Sequence, residues 1–162
     1  MKRIARFEKV SPTQFAEGYE GDNAQSVYEA IKLPKRATSG SAGYDFYAPF
    51  DITLKPGETV KIPTGIRVFI EDGWVLKIYP RSGLGFKFRL QLNNTVGIID
   101  SDYYNSDNEG HIFIKITNDT NEGRMIEIPA GTGFAQGIFV EYGITFDDEA
   151  DGVRNGGFGS TT

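Results

Sequence analysis

The 162-residue chain contains no cysteine and a single histidine, His111. Without cysteine it can form neither disulfides nor thiolate zinc sites, a composition that fits a reducing compartment. A single imidazole cannot form a histidine-based zinc cluster and gives poor support to zinc or serine hydrolysis. Metal chemistry would need oxygen ligands, which favours Mg²⁺, a cation usually held by substrate phosphates with one or two carboxylates.

The chain also lacks long apolar runs and an excess of basic residues. No apolar run approaches the ~18 residues of a membrane span, and residues 1–10 lack a signal peptide's apolar centre, so we expect a cytoplasmic protein that does not bind membranes. Lys and Arg number 17 against 22 Asp and Glu, giving a net charge of -5, which argues against nucleic-acid binding. A free nucleotide needs only a few local cations, and candidates are Arg81, Lys87, Arg89 and Arg154.

Apolar and polar residues alternate through much of the chain. Between Thr59 and Ile70 every second residue is Val, Ile or Thr, which is the period of a β-strand. Turn-forming residues such as Pro56-Gly57 separate runs of this kind, and the 20 glycines fit many tight turns. We therefore predict an all-β sandwich or jelly roll, in a single domain spanning residues 1–162.

Helix is favoured only near the N-terminus. Ser11 is a good N-cap and Pro12 suits the first helical position, so a short helix is predicted from about Ser11 to Gly18. Residues 18–25 contain Gly, Asp and Asn and are predicted to form a loop.

Five segments combine residue types that bind or activate ligands. They are SAGYDFYAP at 41–49, YPRSGLGFK at 79–87, GIIDSDY at 97–103, GTGFAQGIF at 131–139 and RNGGFGSTT at 154–162. Arg81 offers a two-pronged donor for phosphate, and Gly83 lets backbone amides approach an anion. Gln136 is a polar amide on an apolar strand and needs a hydrogen-bond partner. Taken alone, each segment is also compatible with an ordinary turn, strand or loose terminus.

In order and content, the five segments resemble the motifs of the trimeric dUTP diphosphatases (dUTPases), from about Ile31 to the last residue. The resemblance implies an all-β, jelly-roll-like (β-clip) subunit that assembles as a homotrimer with active sites at the subunit interfaces. It also implies Mg²⁺-dependent hydrolysis of dUTP to dUMP and diphosphate. Residues 154–162 would form a flexible C-terminal lid over the bound nucleotide.

The resemblance assigns roles to particular residues. Asp100 would orient and deprotonate the attacking water, Tyr103 would pack against the deoxyribose and exclude a 2′-hydroxyl, and Asp45 would hold Mg²⁺ through waters rather than directly. The other implied substrate-binding residues are Asn94, Gly97, Ile98, Ile99 and Phe113 near the uracil, Arg81, Ser82, Gly83, Gln136 and Arg154 near the phosphates, and Phe158, Gly159, Ser160 and Thr161 in the lid.

Two features depart from the commonest pattern of the family. After Tyr103 the chain inserts Tyr104 to Glu109, a polar stretch that we expect to lengthen the tip of a hairpin, with His111 at the edge of the return strand. Near the C-terminus, Arg154 lies four residues before Phe158, whereas most relatives place this arginine five residues before the phenylalanine.

Two other functions remain open. A dCTP deaminase of the same fold is the nearest, although such relatives usually carry Pro-Gly and a different aromatic residue where this chain has Ser101-Asp102-Tyr103. A non-catalytic, dUTP-responsive protein that engages a regulatory partner is the second. The intact Asp100 argues against a loss of catalysis but not against a second role.

Overall fold

The computed structural model describes residues 1–157. Within that range the chain forms twelve β-strands, three α-helices and one 3-10 helix, so the prediction of a mainly β protein is confirmed. In chain order the elements are β1 Ala5–Lys9, α1 Pro12–Gly18, α2 Ala24–Ala30, β2 Lys35–Arg36, β3 Tyr44–Tyr47, β4 Ile52–Leu54, β5 Thr59–Pro63, β6 Ile66–Ile70, β7 Trp74–Pro80, α3 Ser82–Phe88, β8 Leu90–Leu92, β9 Gly97–Ile99, the 3-10 helix Ser101–Asn105, β10 Phe113–Asn118, β11 Ile126–Ile128 and β12 Gly133–Glu141.

The strands pair into four antiparallel sheets across the described part of the chain. The largest has the order β2-β3-β12-β7-β9, and a three-stranded sheet has the order β5-β10-β8. The remaining strands form the pairs β1-β6 and β11-β4. The long strand β12 pairs with both β3 and β7, so it joins the two halves of the largest sheet.

One large hydrophobic core lies between the sheets. Phe46, Leu76 and Phe134 come from the five-stranded sheet and meet Ile62 and Ile116 of the three-stranded sheet, all of them almost fully buried. Burial of branched apolar side chains on alternate strand positions is the main driving force for this arrangement. A second, smaller cluster of Val10, Phe15 and Val27 lies beneath the N-terminal helices.

The alternating run at 59–70 forms two strands rather than one. The chain turns at Gly65, whose φ of 70° lies in the left-handed region that favours glycine. Thr64 fixes the turn, because its hydroxyl donates to the carbonyl oxygen of Ile112 over 2.6 Å. As a result β5 joins β10 while β6 joins β1 in a different sheet.

The predicted N-terminal helix is confirmed as α1. The hydroxyl of Ser11 accepts the backbone N–H of Gln14 over 3.1 Å, which is the expected N-cap contact. The prediction of a loop over residues 18–25 is wrong at its C-terminal end, because α2 already begins at Ala24. Each of the three helices within residues 1–157 has seven residues, and none is long and apolar enough to cross a membrane.

The helix α3 was not predicted. Gly83 and Gly85 lower its intrinsic helix propensity, so local sequence gives little sign of it. Tertiary packing stabilises it instead, since Leu84 and Phe88 contact the main core. The helix ends at Arg89, whose φ of 53° forms a left-handed C-cap.

Candidate active site

Asp100 lies at the end of the edge strand β9. This strand pairs with β7, where Gly97 lies opposite Ile78 and a Cβ on the glycine would come within 3.1 Å of the Ile78 Cβ. The close pairing therefore favours glycine at position 97. Asp100 then forms the N-cap of the 3-10 helix, which leaves its side chain 46% exposed.

A cavity of about 430 Å³ opens beside Asp100. This volume is typical of a site for a small ligand. The predicted residues that line it are Asn94, Gly97, Ile98, Ile99, Asp100, Tyr103, Phe113 and Arg154. The structure therefore brings together the residues predicted around the base, the sugar and the attacking water. A larger cavity, of about 1060 Å³, lies beside the N-terminus and is lined by none of the predicted site residues.

Two polar residues that the sequence analysis did not single out also line the 430 Å³ cavity. They are Asn93, which precedes a predicted residue, and Lys115. Lys115 lies two positions after Phe113 on β10, so strand alternation places both side chains on one face. That spacing is the signal that could have identified the lysine from sequence.

Tyr103 forms one wall of the cavity and is fixed by its hydroxyl. Only 5% of the residue is exposed. The hydroxyl donates to the carbonyl oxygen of His111 over 2.6 Å and accepts from Nδ2 of Asn108 over 2.9 Å. Burial raises the pKa of the Tyr103 phenol, which keeps the hydroxyl protonated at neutral pH. The ring thus presents a rigid surface to the cavity.

Arg154 approaches this wall from the C-terminal segment and binds two carboxylates. Its Nη2 donates to Oδ2 of Asp100 over 2.6 Å, and its Nε donates to Oδ1 of Asp102 over 2.8 Å. The arginine side chain is 19% exposed, against 54% for Asp102. Asp102 was missed by the sequence analysis, although a second carboxylate two residues after Asp100 was the available signal.

A second group of predicted residues lies elsewhere on the five-stranded sheet. Asp45 on β3 lies opposite Gln136 on β12, and Nη2 of Arg81 is 3.5 Å from Oδ2 of Asp45. The Gln136 amide donates to the Pro80 carbonyl oxygen over 3.3 Å, which gives this polar group a backbone partner. Ser82 and Gly83 begin α3 and are exposed.

The two groups are far apart within one chain. Position 76 of β7 lies opposite Ile99, next to Asp100, whereas Arg81 follows the end of the same strand. The five residue steps from 76 to 81 correspond to about 17 Å at ~3.3 Å per residue. The cavity beside Asp100 is accordingly lined by none of Asp45, Arg81, Ser82, Gly83 or Gln136.

The remaining predicted site residues, Phe158, Gly159, Ser160 and Thr161, lie outside the described residues. Of the lid predicted at 154–162, the structure describes residues 154–157. Gly157 approaches Tyr103 so closely that a Cβ would lie 2.5 Å from Cε2 of the ring. The segment therefore crosses the wall of the cavity.

The insertion after Tyr103 does not lengthen a hairpin tip. It continues the 3-10 helix and then folds back toward the N-terminal segment, where Glu109 binds Ser11. His111 is fully buried rather than at the edge of a strand. Burial lowers the pKa of its imidazole to about 4, although the nearby Glu109 carboxylate acts in the opposite direction.

The fold and the site define a mainly β protein with a small-ligand cavity beside a carboxylate. Residues 29–162 match the model of the dUTPase family. The chain is 45% identical over 134 residues to the deoxyuridine 5'-triphosphate nucleotidohydrolase of Lactococcus lactis subsp. lactis, covering 81% of this chain and 88% of that protein. It is 42% identical over 141 residues to the nucleotidohydrolase of the same name from Hahella chejuensis, covering 81% and 87%. The chain belongs to the dUTPase family.

Solved structures agree with this assignment. The crystal structure of dUTPase from Streptococcus mutans has 34% sequence identity and a TM-score of 0.66, covering 86% of this chain and 97% of that one. The Staphylococcus bacteriophage 80alpha dUTPase with dUPNHPP gives a TM-score of 0.67 at 21% identity, covering 99% of both chains. At the latter identity the likeness shows the fold alone.

Proposed function

We propose that this chain hydrolyses dUTP to dUMP and diphosphate. The observation that carries the proposal is that Asp100 lines the same cavity as Tyr103 and Phe113. Relatives at 45% and 42% identity bear the name deoxyuridine 5'-triphosphate nucleotidohydrolase, which supports this substrate over the dCTP of a deaminase.

In the proposed reaction Asp100 is the general base. A water held by its carboxylate attacks the α-phosphorus and gives its proton to the carboxylate, while the bond from the α-phosphorus to the bridging oxygen breaks and diphosphate leaves. A positioned base of this kind contributes about 10²- to 10⁴-fold. Orientation of the reactants and stabilisation of the developing charge supply the remainder.

In this scheme Arg154 binds Asp100 first and the terminal phosphate of the substrate afterwards. Its guanidinium Nη2 lies 2.6 Å from Oδ2 of Asp100. A triphosphate carries more negative charge than one carboxylate and accepts two-pronged hydrogen bonds from arginine. Bound substrate would therefore draw Arg154 to its terminal phosphate, leave Asp100 free to accept a proton, and bring the lid at 154–162 over the nucleotide.

A complete site would combine residues from two subunits. Asp100 must lie next to the α-phosphorus, and the phosphate-binding residues Arg81 and Gln136 must lie a few bonds further along the same substrate. The separation of about 17 Å along β7 prevents both within one chain. This distance supports the homotrimer of jelly-roll-like subunits with interface sites that the family resemblance implies.

Mg²⁺ would be held by the substrate phosphates and, through waters, by Asp45. The residues fit this arrangement, because Asp45 supplies a part-buried oxygen donor beside Arg81 and Mg²⁺ usually keeps several waters. Within residues 1–157 no three acidic or histidine side chains gather into a metal site of their own. When bound, the ion would neutralise charge on the triphosphate.

The test is diphosphate release from dUTP, dCTP, dTTP and UTP, each with Mg²⁺. We expect rapid release from dUTP and little from the other three. Release of ammonia from dCTP would identify a deaminase instead, and the absence of turnover on every nucleotide would contradict the proposal.

A further inference from the structure

The N-terminal segment and the insertion after Tyr103 contact each other. Residues 1–28 precede the region 29–162 that matches the family model. The insertion at 104–109 directly follows the cavity residue Tyr103. Their contacts connect the N-terminal segment to a wall of the proposed active site.

The first connection is made by Glu109. Its Oε1 accepts the backbone N–H of Ser11 over 2.9 Å, and its Oε2 accepts the Ser11 hydroxyl over 2.5 Å. The same hydroxyl caps α1 through Gln14. Burial alone would raise the pKa of Glu109, but the Ser11 hydrogen bonds and the charge of Arg67 outweigh it, so the pKa is lowered and the carboxylate is ionised at neutral pH.

The second connection is made by Tyr104. Its hydroxyl donates to Oε2 of Glu8 on β1 over 2.8 Å. The Arg67 guanidinium carbon lies 3.7 Å from the centre of the Tyr104 ring, and Nη2 of the same arginine donates to the Tyr104 carbonyl oxygen over 2.6 Å. The start of the insertion is therefore also held by side chains of β1 and β6.

The insertion in turn fixes the Tyr103 hydroxyl. Asn108 donates to it, and the His111 carbonyl oxygen accepts from it. A tight turn brings these groups back to Tyr103, since Glu109 and Gly110 have φ values of 60° and 70°. A Cβ at Gly110 would lie 2.7 Å from the Tyr103 carbonyl oxygen, so this turn accommodates only glycine without a shift.

The helix α1 also supports the facing wall of the cavity. The buried ring of Phe15 lies 6.3 Å from the His111 ring, and the His111 ring lies 4.2 Å from that of Phe113. At the end of α1, a Cβ on Gly18 would come within 2.8 Å of the Phe113 ring. Tyr103 is therefore supported by the insertion through Asn108, and Phe113 is supported by α1 through Gly18 and His111.

We propose that α1 and residues 104–109 form a brace that holds Tyr103 and Phe113 in place, with Glu109 as its positioning residue. The brace sets the fit of the cavity to deoxyribose and so strengthens the rejection of a 2′-hydroxyl. The inference rests on the proposed hydrolysis of dUTP. Glu109 acts through Tyr103 and does not contact the substrate.

The test compares Glu109→Asn with Glu109→Gln. Asparagine tolerates the left-handed backbone at 109 but is too short to reach Ser11, so this change removes the contact without adding strain. Glutamine keeps the length: its amide oxygen can accept the Ser11 N–H, and its amide N–H can donate to the Ser11 hydroxyl oxygen in place of the bond that the carboxylate accepts. This variant should therefore stay much closer to wild-type behaviour than Glu109→Asn. The matched control is Glu58→Asn. It removes a glutamate carboxylate that accepts the Lys55 N–H over 2.7 Å and that does not line the 430 Å³ cavity.

Each variant is assayed on dUTP and UTP, and hydrogen exchange is measured over residues 101–105. In Glu109→Asn we expect KM for dUTP to rise and the dUTP-to-UTP ratio of kcat/KM to fall, each by roughly tenfold, the factor that 1.4 kcal/mol represents. The kcat for dUTP should stay within about twofold, because Asp100 is untouched. Exchange at 101–105 should become faster in this variant and remain slow in Glu58→Asn.

An unchanged selectivity ratio in Glu109→Asn, or an equal fall in Glu58→Asn, would overturn the inference. If Glu109→Asn did not fold, Tyr104→Phe removes only the bond to Glu8, and its ratio should fall by about threefold; an unchanged ratio there would overturn it equally. A wild-type protein without dUTP turnover would contradict the proposed function instead, and the exchange rates would still decide whether the brace exists.

Discussion

The two groups of site residues differ in how firmly the chain holds them. Around the 430 Å³ cavity, Tyr103 is 5% exposed and its hydroxyl has partners on both sides. In the other group, the Arg81 side chain is 47% exposed and its contact with Asp45 is as long as 3.5 Å. The nucleoside half of the proposed site is preformed in one chain, whereas the phosphate half is open.

This difference has a physical reason. A base and a sugar are recognised by shape, which requires rigid walls before the ligand arrives. Phosphates are recognised by charge, and flexible exposed cations can close on them after binding. Substitutions in the two halves should therefore affect different kinetic constants.

The largest expected effect is that of Asp100→Asn. Loss of the base should reduce kcat for dUTP by about 10²-fold or more, since general-base catalysis contributes at least this much. Binding of dUTP should persist, because the amide keeps the size of the carboxylate. Single-turnover hydrolysis and calorimetric binding measure the two quantities separately. The control is Asp119→Asn, which removes an exposed acid paired with Arg89; wild-type kcat in Asp100→Asn would show that another group is the base.

The next effect concerns the interface. Arg81→Ala and Asp100→Asn should each be nearly inactive alone. When the two variants are unfolded together and refolded, random assembly should restore activity in about a quarter of the sites, because an interface site can take one intact residue from each chain. Turnover of the mixture is compared with that of each variant refolded by itself. No recovery in confirmed mixed oligomers would place both residues of a site in the same chain.

Much of the cavity could be predicted from sequence, because its residues are close together in the chain. Asn94, Gly97 and Asp100 lie within seven consecutive residues, on β9 and in the segments that flank it, so a short motif suffices to group them. The helix α3 could not be predicted, since it depends on packing of Leu84 and Phe88 rather than on propensity.

Contacts between segments that are distant in the chain could not be predicted from the sequence either. The bond between Ser11 and Glu109 joins positions 98 residues apart. Ser11 alone suggests an N-cap and Glu109 alone suggests a polar loop. Nothing in a single sequence indicates that the two side chains bind each other. The polar composition of 104–109 predicted a longer hairpin tip, whereas Tyr104 instead contacts Glu8 on β1 and Arg67 on β6.

A smaller effect is expected for Arg154→Ala. In the proposed reaction the side chain would supply a charge-assisted contact to the terminal phosphate, so kcat/KM for dUTP should fall roughly tenfold, equivalent to about 1.4 kcal/mol. Arg154→Lys should recover only part of this loss, because lysine lacks the two-pronged donor. The salt dependence of KM should weaken in the alanine variant. An unchanged kcat/KM would leave Arg154 with only its contacts to Asp100 and Asp102.

The smallest change in turnover is expected for His111→Gln. This variant instead tests whether the buried imidazole beside the cavity makes the free energy of unfolding depend on pH. The imidazole Nε2 accepts the Gly65 N–H over 2.9 Å, and the glutamine amide oxygen can accept the same N–H. Burial lowers the pKa of His111 from 6.5 to about 4. Between these two values the unfolded chain binds a proton that the folded chain does not.

The stability contributed by neutral His111 is thus fully present above about pH 6.5 and is lost as the pH falls toward 4, by at most about 3 kcal/mol. Glu8 and Glu109, whose pKa values are lowered from 4.5, also favour the folded state less as the pH falls, but mainly below pH 4.5. Urea unfolding at pH 7.5 and 5.5, at fixed protein concentration, measures the effect. Wild type should lose about 1.4 kcal/mol more than His111→Gln over this interval. Equal losses in the two proteins would mean that the buried imidazole does not make this half of the site sensitive to acid.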